Sequence, residues 1–165
     1  MATKVPKNYL KYWRVIEYWA KTKYEIAQAD LDLMLFLHSE KYFGHKDLEE
    51  YGAIMGFERK RLERLIKEGW IDRFRTHYKN QRAIFKLSYK ASRMVDAIYA
   101  VLSGEEIPMD PKVNPLFKAK VRPCERKYRE AIIRMNDYVR ANRVKVKEAN
   151  AAAKEASENE DDVAL

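Results

Sequence analysis

Little in this sequence can form a cross-link. A single cysteine, Cys124, excludes an internal disulfide framework. Three histidines, His38, His45 and His77, are too scattered for the close spacing of a metal site, so no metal and no cofactor are expected. The five glycines stand singly, which excludes a glycine-rich loop for cradling phosphates. No nucleophile elbow or paired catalytic histidine is present, and no carboxylate stands out as set in apolar surroundings that would raise its pKa, so an enzyme is not expected. Runs of about 18 apolar residues are missing, which excludes a membrane-spanning helix. Residues 1–7 carry basic side chains with no apolar stretch or small-residue cleavage pattern behind them, and the expectation is an intracellular, cytoplasmic protein.

What the chain does have is charge and apolar periodicity. Its 165 residues are 47% hydrophobic and 35% charged, the balance of a globular protein of one domain with an extended element or tail. The formal net charge is +8, and setting aside the four carboxylates of residues 157–165 raises it to +12 on the remainder. Such an excess favours a polyanionic partner, because each phosphate neutralised by Lys or Arg releases condensed counterions.

Residues 8–24 place Tyr9, Tyr12, Trp13, Ile16, Trp19 and Ala20 at helical spacing, on more than one stripe, as if touching both a core and a partner chain. Residues 28–40 are apolar on nearly every side and predict a buried helix, on which His38 reads as a core histidine. Two shorter helices follow, over 45–55 and 57–68, each closed by a glycine, Gly56 and Gly69. The second turns Leu62, Leu65 and Ile66 inward and aligns Lys60, Arg64 and Lys67 at i, i+4 and i+7, with Arg59 and Arg61 beside them. After Gly69 the period changes to two over 70–75 and 83–88, a β-hairpin whose tip carries Lys79 and Arg82 and whose first strand ends at Arg75. A helix over 89–103, an aperiodic connection over 107–123, and a long helix over 125–156 complete the pattern. The stripe of this last helix is Tyr128, Ile132, Met135, Val139 and Val146, and an acidic, frayed tail is expected from 157.

Two short helices joined at a glycine, the second with a basic face, followed by a hairpin, is the order of a winged helix-turn-helix. At residues 62–88 the chain resembles the multiple-antibiotic-resistance regulator (MarR) family. Residues 65–73 are similar to the end of that family's recognition helix and the start of its wing. Asn80, Gln81 and Arg82 stand where the family has an Asp-x-Arg wing tip, and Ser88 opens the next helix. The resemblance implies a mainly α fold with a small hairpin wing, and a homodimer built from the N- and C-terminal helices. The residues then expected at the dimer contact are Tyr9, Tyr12, Trp13, Ile16, Trp19, Tyr128, Ile132, Met135 and Val139.

The resulting expectation has four parts: an N-terminal dimerisation helix at 1–27, a winged helix-turn-helix at 28–88, C-terminal dimerisation helices at 89–156, and an acidic disordered tail at 157–165. The function expected is sequence-specific binding of double-stranded DNA by a transcriptional regulator. Arg59, Lys60, Arg61, Arg64 and Lys67 would lie in the major groove, and Arg75, Lys79 and Arg82 on the wing. The alternative is a winged helix used as a protein-docking or architectural module, with the long last helix as its protein contact. No small-molecule effector can be named from the sequence. Cys124 lacks the second cysteine that a redox switch would use as a resolving partner.

Overall fold

The computed structural model describes residues 9–56 and 58–162, with side chains to residue 157. The helix starts expected at residues 8 and 57, and the last three residues of the expected tail, fall outside that range. Among the described residues there are six α-helices and one two-stranded antiparallel hairpin: α1 (Trp13–Tyr24), α2 (Gln28–Leu37), α3 (His45–Met55), α4 (Arg59–Lys67), β1 (Ile71–Arg75), β2 (Ile84–Leu87), α5 (Tyr89–Leu102) and α6 (Pro123–Asp162). No described helix is long and apolar enough to cross a membrane. The chain divides into two compact units, one of residues 20–99 and one of the residues up to 19 with those from 100 onward, and the boundary falls inside α1 and inside α5.

The core of the 20–99 unit is centred on α2, whose Leu31, Leu33, Met34 and Leu37 are fully buried. Leu48 of α3, Leu62 and Leu65 of α4, Ile71 and Phe85 of the hairpin, and Met94, Val95 and Ile98 of α5 complete it. The hairpin pairs Ile71 with Leu87, Asp72 with Lys86 and Arg73 with Phe85, then shifts register through a bulge so that Arg75 faces Ile84. Phe43 adds a one-residue bridge on the far side of β2: its N–H donates to the Phe85 carbonyl at 3.0 Å and its carbonyl accepts the Phe85 N–H at 2.8 Å. That third rung was not expected, since a single residue between two helices leaves no alternating pattern. Ser88 opens α5 as the resemblance implied, its Oγ accepting the Ala91 N–H at 3.2 Å.

In the other unit α6 buries Ile132, Met135 and Val139 together with Tyr9, Ile16 and Trp19. Tyr18 stacks on Tyr128 with ring centroids 3.8 Å apart, and Tyr9 and Tyr12 each meet Tyr138 near 6 Å. Tyr9, Tyr12 and Tyr18 thus have ring partners within one chain. Of the nine residues expected at a dimer contact, Tyr9, Ile16, Trp19, Ile132, Met135 and Val139 are buried in this way, and Tyr12, Trp13 and Tyr128 are half-buried. The aperiodic connection before α6 is held by polar clamps rather than apolar packing. Buried Asn136 both accepts from the Ile107 N–H at 3.0 Å and donates to its carbonyl at 2.9 Å. Asn114 donates to the Pro108 carbonyl at 2.8 Å, and Arg129 donates to the carbonyls of Leu116 and Lys118 at 2.8 and 2.7 Å. The helix continues to Asp162, past the residue where a disordered tail was expected. The alanine-, glutamate- and lysine-rich stretch after Val146 contains no glycine or proline to stop it.

The position of the hairpin is set at Gly69. Its φ of +79° is left-handed, the Trp70 N–H returns to the Leu65 carbonyl at 2.9 Å, and the Gly69 N–H donates to Ile66 at 3.1 Å. A Cβ there would meet no atom within 4 Å, so the only cost of adding one is the backbone conformation. Gly69→Ala is expected to lower stability by about 1 to 2 kcal/mol. Denaturant unfolding followed by circular dichroism measures this, and an unchanged midpoint would show that the turn tolerates a side chain.

Candidate nucleic-acid interface

Gly56, at φ +62°, ends α3 with its N–H on the Gly52 carbonyl at 2.9 Å. Two residues on, extended Glu58 precedes α4. The nine residues of α4 span about 13 Å, under three turns. Leu62 and Leu65 turn into the core, while Arg59, Lys60, Glu63 and Lys67 are exposed on the outer side and Arg64 is partly so. Arg59 faces Glu49 at 3.6 Å, an exposed pair of little energetic weight.

The two remaining arginines of the expected groove-facing set point elsewhere. Arg61 Nε donates to Asp30 Oδ1 at 2.8 Å, and its Nη2 donates to the Ala29 carbonyl. Arg64 Nη2 spans both Asp30 oxygens at 3.0 and 2.9 Å, and its Nη1 meets the Glu68 carboxylate at 3.1 to 3.2 Å. Hydrogen bonding to Asp30 holds the Arg64 guanidinium above its ordinary pKa. Asp30 is only 4% exposed, and both of its carboxylate oxygens are met by guanidinium groups. An ionised carboxylate at such a depth costs several kcal/mol unless it is paired, so the nearest guanidiniums turn to meet it. The line of charge through Lys60, Arg64 and Lys67 is therefore interrupted at its middle. A signal for this was present: an aspartate beside Leu31, Leu33 and Met34, on a helix with almost no polar face, requires a counter-charge from outside that helix.

The hairpin is the more cationic element. Residues 71–88 contain Arg73, Arg75, Lys79, Arg82 and Lys86 against one carboxylate, Asp72. Arg75 donates through Nε and Nη2 to the Arg82 carbonyl, both at 3.3 Å, which locks the two arms below the tip. At the tip Tyr78 and Gln81 exchange two backbone hydrogen bonds at 3.1 and 2.9 Å. Between them Lys79 sits at φ +50° and its ammonium lies 5.3 Å from the Tyr78 ring. Lys79 and Arg82 are exposed, as expected of a tip. Two cavities flank this hairpin, of about 610 Å³ beside the start of α3 and about 340 Å³ beside α4. His45 and His77 line both, with Lys46 on the first and Arg73 on the second, four residues that the sequence pattern did not single out.

Among the described residues no cluster of His, Cys, Asp and Glu could hold a metal ion. Compared with protein-family models, curated proteins and solved structures, the chain matches none.

Asp30→Ala would leave Arg61, whose side chain is 14% exposed, without its counter-charge and with the Ala29 carbonyl as its remaining partner, and Arg64 released towards solvent. The expected loss is about 3 kcal/mol, because one partner of a buried pair is removed while the other stays behind. Equilibrium urea unfolding gives the value, and a loss under about 1 kcal/mol would mean that the network adds little beyond an ordinary hydrogen bond.

Proposed function

We propose that this chain is a winged helix-turn-helix protein that binds double-stranded DNA and regulates transcription at the sites it occupies. The observation that carries the reading is the succession within residues 20–99 of α2, the Phe43 bridge, α3, α4 and the β1–β2 hairpin, with exposed cations on the outer side of α4 and around the hairpin. In this reading α4 enters the major groove, where Lys60 and Lys67 reach phosphates or the O6 and N7 acceptors of guanine. The hairpin acts as the wing, Lys79 and Arg82 lying along the backbone or in the adjoining minor groove. The resemblance at residues 62–88 to the multiple-antibiotic-resistance regulators supports the same assignment, as does the excess of positive charge. A cytoplasmic place beside the DNA follows from it.

The arrangement of α4 favours a second reading, an architectural binder with little sequence preference. Arg61 and Arg64, the residue type best suited to paired hydrogen bonds with guanine, are turned back to Asp30. Phosphate contacts then carry a larger share of the affinity than base contacts. A homodimer remains part of the proposal for the regulator. The burial of six of its nine expected contact residues means that pairing would draw on other surfaces, and its site would be an inverted repeat.

Reversing charge in the double variant Lys60→Glu/Lys67→Glu is expected to weaken duplex binding at least tenfold, read by fluorescence anisotropy. A change of less than twofold would remove α4 from the interface. For the wild type, log affinity should fall steeply and linearly with log salt. Absent binding at low salt, or binding insensitive to salt, would instead favour protein docking. Selection from random duplexes separates the two DNA readings, since only the regulator yields a common, two-fold-symmetric motif.

A further inference from the structure

The larger cavity beside the hairpin has a composition that α4 and the hairpin tip do not account for. We infer that the cleft between the start of α3 and the hairpin seats a backbone phosphate of duplex DNA, and that the smaller cavity next to it continues the same track towards α4. The inference rests on the DNA-binding reading and adds to it a contact from the start of α3, through His45 and Lys46, beside Arg82 of the hairpin tip.

Five cationic or protonatable side chains from separate stretches of chain line the larger cleft: His45 and Lys46 from the start of α3, and Arg75, His77 and Arg82 from the hairpin. Its two carboxylates are engaged elsewhere. Asp47 accepts the Gly44 N–H at 2.7 Å, and Glu49 faces Arg59 at 3.6 Å. Among the described residues, Lys46, Arg75 and Arg82 have no carboxylate within ion-pair distance. Three cations outside any ion pair, set against Asp47 and Glu49, leave a net positive charge around one concavity and so a positive potential there. Phe43, Ala83 and Ile84 supply the cleft with apolar lining.

The chemistry of the occupant follows from the neighbouring cavity. His45, His77 and Ala83 line both, and the second brings Arg59 and Arg73 with one carboxylate, Glu63. The two cavities together are lined by the cations Lys46, Arg75, Arg82, Arg73 and Arg59, with His45 and His77 on both. An isolated small anion needs a point of charge. A track that leads to the outer side of α4 fits a polymer of phosphates, whose successive charges each find a partner. Arg75 is held in place by the Arg82 carbonyl, which fixes one wall of the cleft before any ligand arrives.

The test uses the full chain and a fluorescein-labelled duplex, titrated by anisotropy at several salt concentrations. Lys46→Glu reverses the one lysine or arginine of the cleft that lies on neither α4 nor the hairpin. Lys118→Ala/Lys120→Ala, exposed in the other unit, is the control. The cleft variant should bind at least tenfold more weakly than wild type, and its slope of log affinity against log salt should be shallower by about 1 to 2. The control should keep both values. If wild type binds duplex and the cleft variant has the same slope, the inference is overturned and the DNA-binding reading stands. If wild type does not bind duplex at low salt, that reading fails, and the cleft is tested with inorganic pyrophosphate followed by the histidine ring resonances. Shifts at His45 and His77 without one at His38 would retain an anion site in the cleft, and unmoved resonances would eliminate it.

Discussion

The carboxylate of Asp30 lies among the leucines of α2, and the stability of the 20–99 unit depends on how that charge is met. Arg61 and Arg64 reach it from α4, one turn apart, and so fix the rotation of α4 about its own axis. Apolar packing of Leu62 and Leu65 would by itself tolerate a modest roll of the helix. Three hydrogen bonds from two guanidiniums to one carboxylate would not, because bonds of this kind are strongly directional. The rotation in turn leaves Arg59, Lys60, Glu63 and Lys67 facing outward, with Arg64 partly exposed beside them. The charge pattern of the outer surface is thus a consequence of a single acid in the interior.

The two units solve the same problem of satisfying buried polar groups in different ways. In the 20–99 unit the solution is ionic and joins helix to helix. In the other unit the fully buried partners are neutral, Asn114 and Asn136 closing hydrogen bonds onto the main chain of the connection that precedes α6, with the less buried Arg129 adding a guanidinium. Neutral amides carry a smaller desolvation penalty than charges and suit a segment whose backbone, lacking regular structure, must find partners outside itself. The connection stays ordered with few apolar anchors, Ile107 and Leu116 being its buried ones.

Local rules made much of this fold legible in the sequence. Helix ends at Gly56 and Gly69, the change of period at Trp70 and the serine opening α5 are encoded by residues next to the features they set, and the elements fall close to where those signals lie. The Phe43 bridge, the asparagine clamps and the continuation of α6 to Asp162 were less visible. The first two depend on partners 42 and 29 positions away, and the third on the absence of a stop signal rather than the presence of one. At the candidate site the residue types were legible and their directions were not. Arg61 and Arg64 share a helical face with solvent-facing neighbours, and only the position of Asp30 in three dimensions separates them. His45 and Lys46 became part of the site because Phe43 brings the start of α3 alongside the hairpin.

The length of α6 has a mechanical meaning. Forty residues of α-helix extend about 60 Å, and neither a glycine nor a proline interrupts the run after Pro123. Its first half is gripped by aromatic and apolar neighbours, whereas the side chains described beyond Ala149 are all exposed. A helix clamped at one end and bare at the other is a cantilever. It transmits a sideways force at its tip into the core near Val139 with a long lever arm, so modest forces at the far end act on the packing around Tyr138 and Trp19.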